Sequence, residues 1–359
     1  MRLRLQGTQY MIGKLTPNLL AKYVFNRIGS RDPSVIVGPS IGEDAAIIDL
    51  GDGRVIAVHA DPISGAVEYI GWLAVHVASN DIAVRGVRPR WLVSVLYLPE
   101  GASEELIDSI TRQIDEAAKE VGAMVVGGHS EFTSGINRPL IAMTAMGIAE
   151  KRYCVTTGGA KVGDIVLMTK SVGIEGTAIL STDFADILAS KGVDHEVIKQ
   201  GRNYIKKISV VKEALALAGR GLATSMHDPT EGGLLGGLAE IAYASGKTIR
   251  VWENMIGIAK ETEIITRALG LDPLKLISSG TLVATVPPNK VDEAIKLLNS
   301  IGVNAYTIGR VEKRQESLVI VHRSNGRIEK IDSVYVEDEI SRAWRLWGEG
   351  LLQQKDSIK

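Results

Sequence analysis

The stretch RPLIAMTAMGIA, Arg138 to Ala149, constrains the architecture more than any other part of the chain, because nearly every residue after its first two is apolar. A strand with one wet face alternates apolar and polar residues, whereas an unbroken apolar run belongs where both faces are covered. The run therefore predicts a central strand. RVIAVHAD (Arg54 to Asp61), WLVSVLYL (Trp91 to Leu98) and AMVVGG (Ala123 to Gly128) read as further strands. Ala66 to Arg85 sets Val67, Ile70, Ala74, Val77, Ala78 and Ile82 roughly at helical spacing, and Ser103 stands where it can cap a helix to Val121. Together these make one α/β unit ending near Glu150.

The polar, glycine-rich KRYCVTTGGAKVGD (Lys151 to Asp164) reads as a boundary, after which the rhythm repeats. IVLMTK is a strand, GTAILSTDFADILA a helix, and Ile198 to Ala218 a second, long helix. LATSM, TIRVWEN, TLVATVPP, AYTIGRV and SLVIVH read as strands, with helices at GGLLGGLAEIAYAS and VDEAIKLLNSIG. A length of 359 residues exceeds one ordinary core. The expectation is two α/β (α+β) domains in tandem, residues 1–150 and 151–359, with sheets covered by helices.

Bulk composition removes several functions. Hydrophobic residues at 45%, charged residues at 23% and a net charge of -1 describe a globular protein with no electrostatic reason to bind nucleic acid or an anionic membrane. Cys154, the only cysteine, excludes an internal disulfide and a multi-cysteine zinc site. MRLRLQGTQYMIGKL has no apolar run long enough for a signal peptide or a membrane span, so a cytoplasmic location is expected.

Acids recur at the ends of apolar segments beside glycines. Asp44 lies in SIGEDAA, Asp61 closes IAVHAD, Asp81 sits late in a helix, Glu131 follows VVGGHS and Asp228 follows LATSM. Such positions converge at one edge of a sheet, and carboxylates of this kind suit magnesium held together with nucleotide phosphates. The structural alternative is that Asp44 and Asp228 merely shape turns or cap helices, Asp228 standing before Pro229. Asp81 is harder to explain that way, since an acid on an apolar helix face needs a partner.

Four of the six histidines travel with a candidate acid: His59 with Asp61, His76 with Asp81, His129 with Glu131 and His227 with Asp228. Imidazole with carboxylate also suits a zinc or manganese hydrolase, although residues two apart on a strand share a face and can simply bond to each other. Neither a GxxxxGK[ST] loop nor a GxGxxG after a strand is present. DPTEGGLLGG, Asp228 to Gly237, and SVGIEGT, Ser171 to Thr177, open helices whose free N–H groups favour an anion.

Taken in order, IGEDAAII, HADPISG, ASNDIAVRGVRPRWL, VVGGHSE, GGAKVGDIVLMTKSVGIEGTAIL, MHDPTEGGLLGGLAEIA and SSGTLVATVPP resemble the aminoimidazole ribonucleotide (AIR) synthase superfamily. Its members include the hydrogenase maturation protein HypE, thiamine-monophosphate kinase and selenophosphate synthetase. DPTEGG and GTLVATVPP are most similar to the HypE branch. The resemblance implies a protein that dimerises through its N-terminal domains and binds ATP with Mg2+ near the domain junction. It further implies that Asp44, Asp61, Asp81 and Asp228 are metal or phosphate-side acids. Gly42, Asn80, Gly127, Gly128, Gly232 and Gly233 would belong to the nucleotide site, and Arg152 would contact phosphate as in the kinase branch. HypE also implies a small-molecule or protein-borne substrate and a maturation partner.

Departures from the family pattern are specific. The sequence ends LLQQKDSIK, without the terminal cysteine that carries the HypE chemistry. Ala60 replaces a usual threonine, and Ser279 stands about where HypE has a catalytic glutamate. Gly-Gly-His resembles selenophosphate synthetases, but their N-terminal reactive cysteine or selenocysteine has no counterpart. His129 and Glu131 are accordingly expected at a substrate-facing turn, orienting a phosphate or serving as acid and base. The expected activity is ATP-dependent activation of an amide, carbonyl or acid oxygen by phosphoryl transfer. The alternatives are a non-catalytic nucleotide-binding assembly factor and the His/carboxylate metal hydrolase.

Overall fold

The computed structural model describes residues 15–63 and 68–356, and side chains through residue 347. A short helix α1 (Pro17–Leu19) precedes strands β1 (Val35–Val37), β2 (Ala46–Asp49) and β3 (Arg54–Ile63). Helix α2 (Ile70–Ala83), β4 (Trp91–Pro99), α3 (Glu104–Val121), β5 (Met124–Thr133) and β6 (Leu140–Glu150) complete the first half. Its six-stranded sheet runs β1-β2-β3-β6-β4-β5, so the apolar run is an interior strand as expected.

The covering is one-sided. Ile141, Met143 and Ala145 of β6 are buried beneath α2, whereas Leu140, Ala142, Thr144 and Met146 on the other face are only half-buried. Ser103 caps α3 through a 3.3 Å bond from Leu106 N to Oγ, and Gly122 ends that helix at φ +77°. Helix α2 is buried all round, as its nearly continuous apolar composition demands.

In the second half, β7 (Ile165–Thr169) leads to α4 (Ile174–Asp183), α5 (Ala185–Ser190), α6 (His195–Arg202) and α7 (Val211–Gly219). Next come β8 (Ser225–His227), α8 (Gly233–Ser245), β9 (Thr248–Trp252), α9 (Lys260–Leu269) and β10 (Val283–Val286). The last elements are α10 (Val291–Ser300), β11 (Ala305–Glu312), β12 (Val319–His322), β13 (Ile328–Ile331) and α11 (Glu339–Asp356). The seven strands are ordered β13-β12-β9-β11-β7-β10-β8. No helix among the described residues is long and apolar enough to cross a membrane.

Several sequence expectations need correction. Residues 66–67 of the first expected helix lie outside the described residues. The single helix expected over 198–218 is instead α6, a 3₁₀ turn at Asn203–Lys207 and α7. The break is held from outside: Asn80 donates to Ile208 O and accepts from Val210 N, both at 2.9 Å, while Lys170 Nζ donates to Ser209 O at 2.7 Å. The helix expected over 176–189 likewise divides at Phe184.

Candidate functional site

The two halves meet through a row of alternating charges. Gly42 turns at φ +85°, and a Cβ there would come 2.8 Å from Glu240 O, so only glycine lets the SIGEDAA turn sit against α8. That turn presents Glu43 and Asp44. Arg85, fully buried just past α2, donates to Glu43 Oε2 at 2.7 Å, Asp44 Oδ2 at 2.8 Å and Met226 O at 2.7 Å. The other Asp44 oxygen lies 2.6 Å from His227 Nδ1, and His227 Nε2 bonds Glu240 Oε2 at 2.8 Å. Glu43 also accepts from Thr157 N and Gly158 N in the connector, each at 3.1 Å.

These contacts set protonation. Burial opposes the charged forms of Asp44 and His227, but each overcomes it through the other. Asp44 is held below the usual carboxylate range by His227 and Arg85. His227 is driven up to about 10 by Asp44 and Glu240, so it is an imidazolium at neutral pH. Asp44, His227 and Asp228 bring their ligand atoms within 4.8 Å of one another, with the two ring nitrogens of His227 facing Asp44 and Glu240.

Asp228 contrasts with Asp44. It is 1% exposed, and neither oxygen has a hydrogen-bond partner. Burial, then the charge of Asp44, raises its carboxyl well above the ordinary value, with Asp61 contributing. His59, Asp61 and Asp81 form a second group, with ligand atoms within 4.8 Å of one another and His59 Nε2 3.6 Å from Asp81 Oδ2. A buried carboxyl with neither oxygen hydrogen-bonded, close to further carboxylates, fits a hard divalent cation.

Further acids border the same region, none of them singled out by sequence. Glu175, in the first turn of α4, is pushed up to about 7 by burial, with Asp338, Glu231 and Asp61 adding their charge. It bonds the side chain of buried Ser279, which lies in the turn before β10. Asp338 is likewise raised to about 7 by burial. Next to these acids opens a cavity of about 520 Å³, whose apolar wall includes Leu20, Phe25, Ile41, Val334 and Val336.

Other expected residues are placed elsewhere. VVGGHSE is not a turn: Gly127, Gly128, His129 and Glu131 lie within the exposed edge strand β5. Gly128 is required because a Cβ would fall 1.9 Å from Ser94 O of the neighbouring strand. Gly128 shares a register line with Ser94, Met143 and Asp61, three strand spacings, or about 14 Å, away. His129 Nε2 bonds Glu131 Oε2 at 2.9 Å in solvent, the neighbour contact that the strand alternative describes.

Arg152 is exposed and paired with Glu150 at 2.8 Å. Its neighbour Glu150 pairs with Arg54, seven residues along β3 from Asp61, or about 23 Å. His76 is buried against the Trp72 ring and is not a partner of Asp81; burial lowers it to about 4. The Asn80 amide is used in holding residues 208–210. Asp228 is not the cap of α8, whose cap position is Gly232; Gly232 and Gly233 take φ +79° and +60°. Gly232 N donates to Asp338 Oδ2 at 2.7 Å, so the anion seat at this helix is filled from within the chain.

Comparison with known proteins agrees with this architecture. Residues 42–149 match the model of the AIR synthase related protein N-terminal domain, and residues 161–322 that of its C-terminal domain. A putative hydrogenase expression/formation protein of Methanocaldococcus jannaschii is 28% identical over 86% of this chain and 91% of its own length. A carbamoyl dehydratase HypE of Rhizobium leguminosarum bv. viciae is 28% identical over 67% of this chain and 68% of its own. The solved structure of hydrogenase maturation protein HypE in complex with ATP shares the fold, with TM-score 0.67 at 22% identity over 90% of this chain and 96% of that one. With both halves matched in order and the same two-sheet fold present, the chain belongs to the AIR synthase superfamily.

Proposed function

We propose that this chain is an ATP- and magnesium-dependent enzyme of the HypE branch. It would activate an amide, carbonyl or acid oxygen of a small-molecule or protein-borne substrate by phosphoryl transfer. The observation that carries the reading is Asp228: a fully buried carboxylate with both oxygens unpartnered, close to Asp61, beside a cavity with an apolar wall. The apolar wall suits a nucleotide base, and Asp61, Asp81 and Asp228 would hold the cation. Magnesium, when bound, neutralises phosphate charge during transfer. Asp44 and Arg85 act one step back by fixing the turn and β8 that carry the site. His129 and Glu131 could take part only from another copy or after rearrangement, given their distance from Asp61 in one chain.

The ATP complex of HypE and the relative named a putative hydrogenase expression/formation protein support this assignment, and a solved complex of HypE with HypF supports a maturation partner. We assign residues 1–150 and 151–359 as its two domains. The half-covered sheet face and the exposed Met124, Val125, Val126 and Phe132 of edge strand β5 support a homodimer through the first domain, testable by light scattering. Calorimetry of ATP with and without magnesium, on wild type and Asp81→Asn, tests the reading. Magnesium-dependent binding lost in the variant is expected; no binding to wild type under either condition would sink it. The assembly-factor reading draws support from the position of the His129–Glu131 pair, and predicts slow ATP turnover that rises only with a protein partner.

A further inference from the structure

Strand β3 ends in an imidazole and a carboxylate on one face. Val55, Ala57 and Ile63 are its buried row, and Ala57 and Ile63 pack into the core that α2 shares. Residues two apart on a strand share a face, so His59 and Asp61 continue that row toward α2. The last turn of α2 carries Asp81 to meet them, and one ligand atom from each of the three lies within 4.8 Å of the others.

The spacing is that of ligands more than of a bonded pair. His59 Nε2 is 3.6 Å from Asp81 Oδ2. A hydrogen bond from a ring N–H to a carboxylate closes to about 2.9 Å, whereas two donors on one ion, each at about 2.1 Å, stand about 3–3.5 Å apart. His59 also borders the cavity, which gives an ion a way in from the cleft. Asp228, buried with neither oxygen hydrogen-bonded, is close enough to Asp61 for their charges to interact.

Donor type then decides the ion. Oxygen donors alone suit magnesium, which takes much of its shell from water and phosphate. An imidazole nitrogen adds little for magnesium and progressively more from manganese through iron and cobalt to zinc.

We propose that His59, Asp61 and Asp81 form a site for a borderline divalent metal of the cobalt or zinc kind, which loads without nucleotide and is preferred there to magnesium. Its place beside ATP rests on the nucleotide reading; the binding of the metal does not.

The test is nucleotide-free calorimetry at pH 8, where an imidazole of ordinary basicity is neutral, with cobalt(II) alone and then with magnesium displacing it, on wild type and His59→Gln. Wild type should bind cobalt at least roughly tenfold more tightly than magnesium. The variant should lose roughly tenfold or more in cobalt affinity while its magnesium affinity changes less than roughly threefold. A histidine that only shapes the strand would move both metals alike, so equal losses overturn the proposal. Cobalt affinity unchanged in the variant overturns it too, placing the ion at the Asp44, His227 and Asp228 group. So does a wild type that binds no cobalt. His59→Asn serves if the first variant does not fold; if neither folds, broadening of the His59 ring resonance in cobalt-loaded wild type, present or absent, decides. The magnesium–ATP titration tests the nucleotide reading separately: cobalt binding without ATP binding leaves the metal site standing, and ATP binding without cobalt binding leaves the nucleotide reading standing.

Discussion

His227 Nδ1 stands 2.6 Å from Asp44 Oδ1, and this ion pair ties β8 of the second half to the SIGEDAA turn of the first. With Glu240 on the other nitrogen, the ring holds its proton to about pH 10, against an ordinary histidine value of about 6.5. A folded-state pKa raised in this way gives stability that is fully present below about 6.5 and lost as pH rises through about 10. His227→Gln should therefore be much less stable than wild type at pH 6 and differ progressively less toward pH 10. Urea melts at pH 6, 8 and 10 would show it; a constant gap would mean that the ring is not charged.

Arg85 has the largest structural role of any charged side chain in the site. Removing it would leave Glu43, Asp44 and Met226 O without their donor in a region closed to water. Arg85→Met should cost about 3–5 kcal/mol in chemical denaturation, the range for breaking one side of a buried ion network. A loss below about 1 kcal/mol, the range of surface pairs, would show that water reaches these groups.

Asp228 should trade stability for function. In the metal-free protein, Asp228→Asn removes an unpartnered buried carboxyl and should raise stability by about 1–3 kcal/mol at neutral pH. The same change should abolish the magnesium-dependent part of ATP affinity. Melting curves with and without magnesium–ATP separate the two effects, and a variant that loses stability in both conditions would contradict the assignment.

Asn80 belongs to the scaffold. Asn80→Ala would strand Ile208 O and Val210 N, costing about 2–4 kcal/mol. Protein that remains folded at low temperature should still bind magnesium–ATP with near wild-type affinity, as calorimetry at 10 °C or so would report. A selective loss of binding with unchanged melting would return Asn80 to the nucleotide site.

What the sequence makes visible here follows from range. The caps at Ser103 and Gly122, the interior strand β6 and the acids beside glycines are local patterns, and the structure has them where local chemistry places them. Arg85 is different: its partners lie 41, 42 and 141 residues away, so in sequence it resembles an ordinary charged helix end. Its one local trace is that it interrupts an otherwise apolar ending, DIAVRGV. Asp338 was hidden for the same reason, 106 residues from the glycine it caps. The two glycines of VVGGHSE suggest a turn because sequence cannot show Ser94 O pressing on Gly128 from the next strand.

The contact between Gly42 and Glu240 O leaves less than the width of a methyl group between the two halves. Such a seam, pinned on either side by Arg85 and His227, cannot serve as a hinge without breaking several charged contacts at once. With the seam fixed, any change in the shape of the cavity falls to its other walls, to which residues 15–25 and 334–341 both contribute.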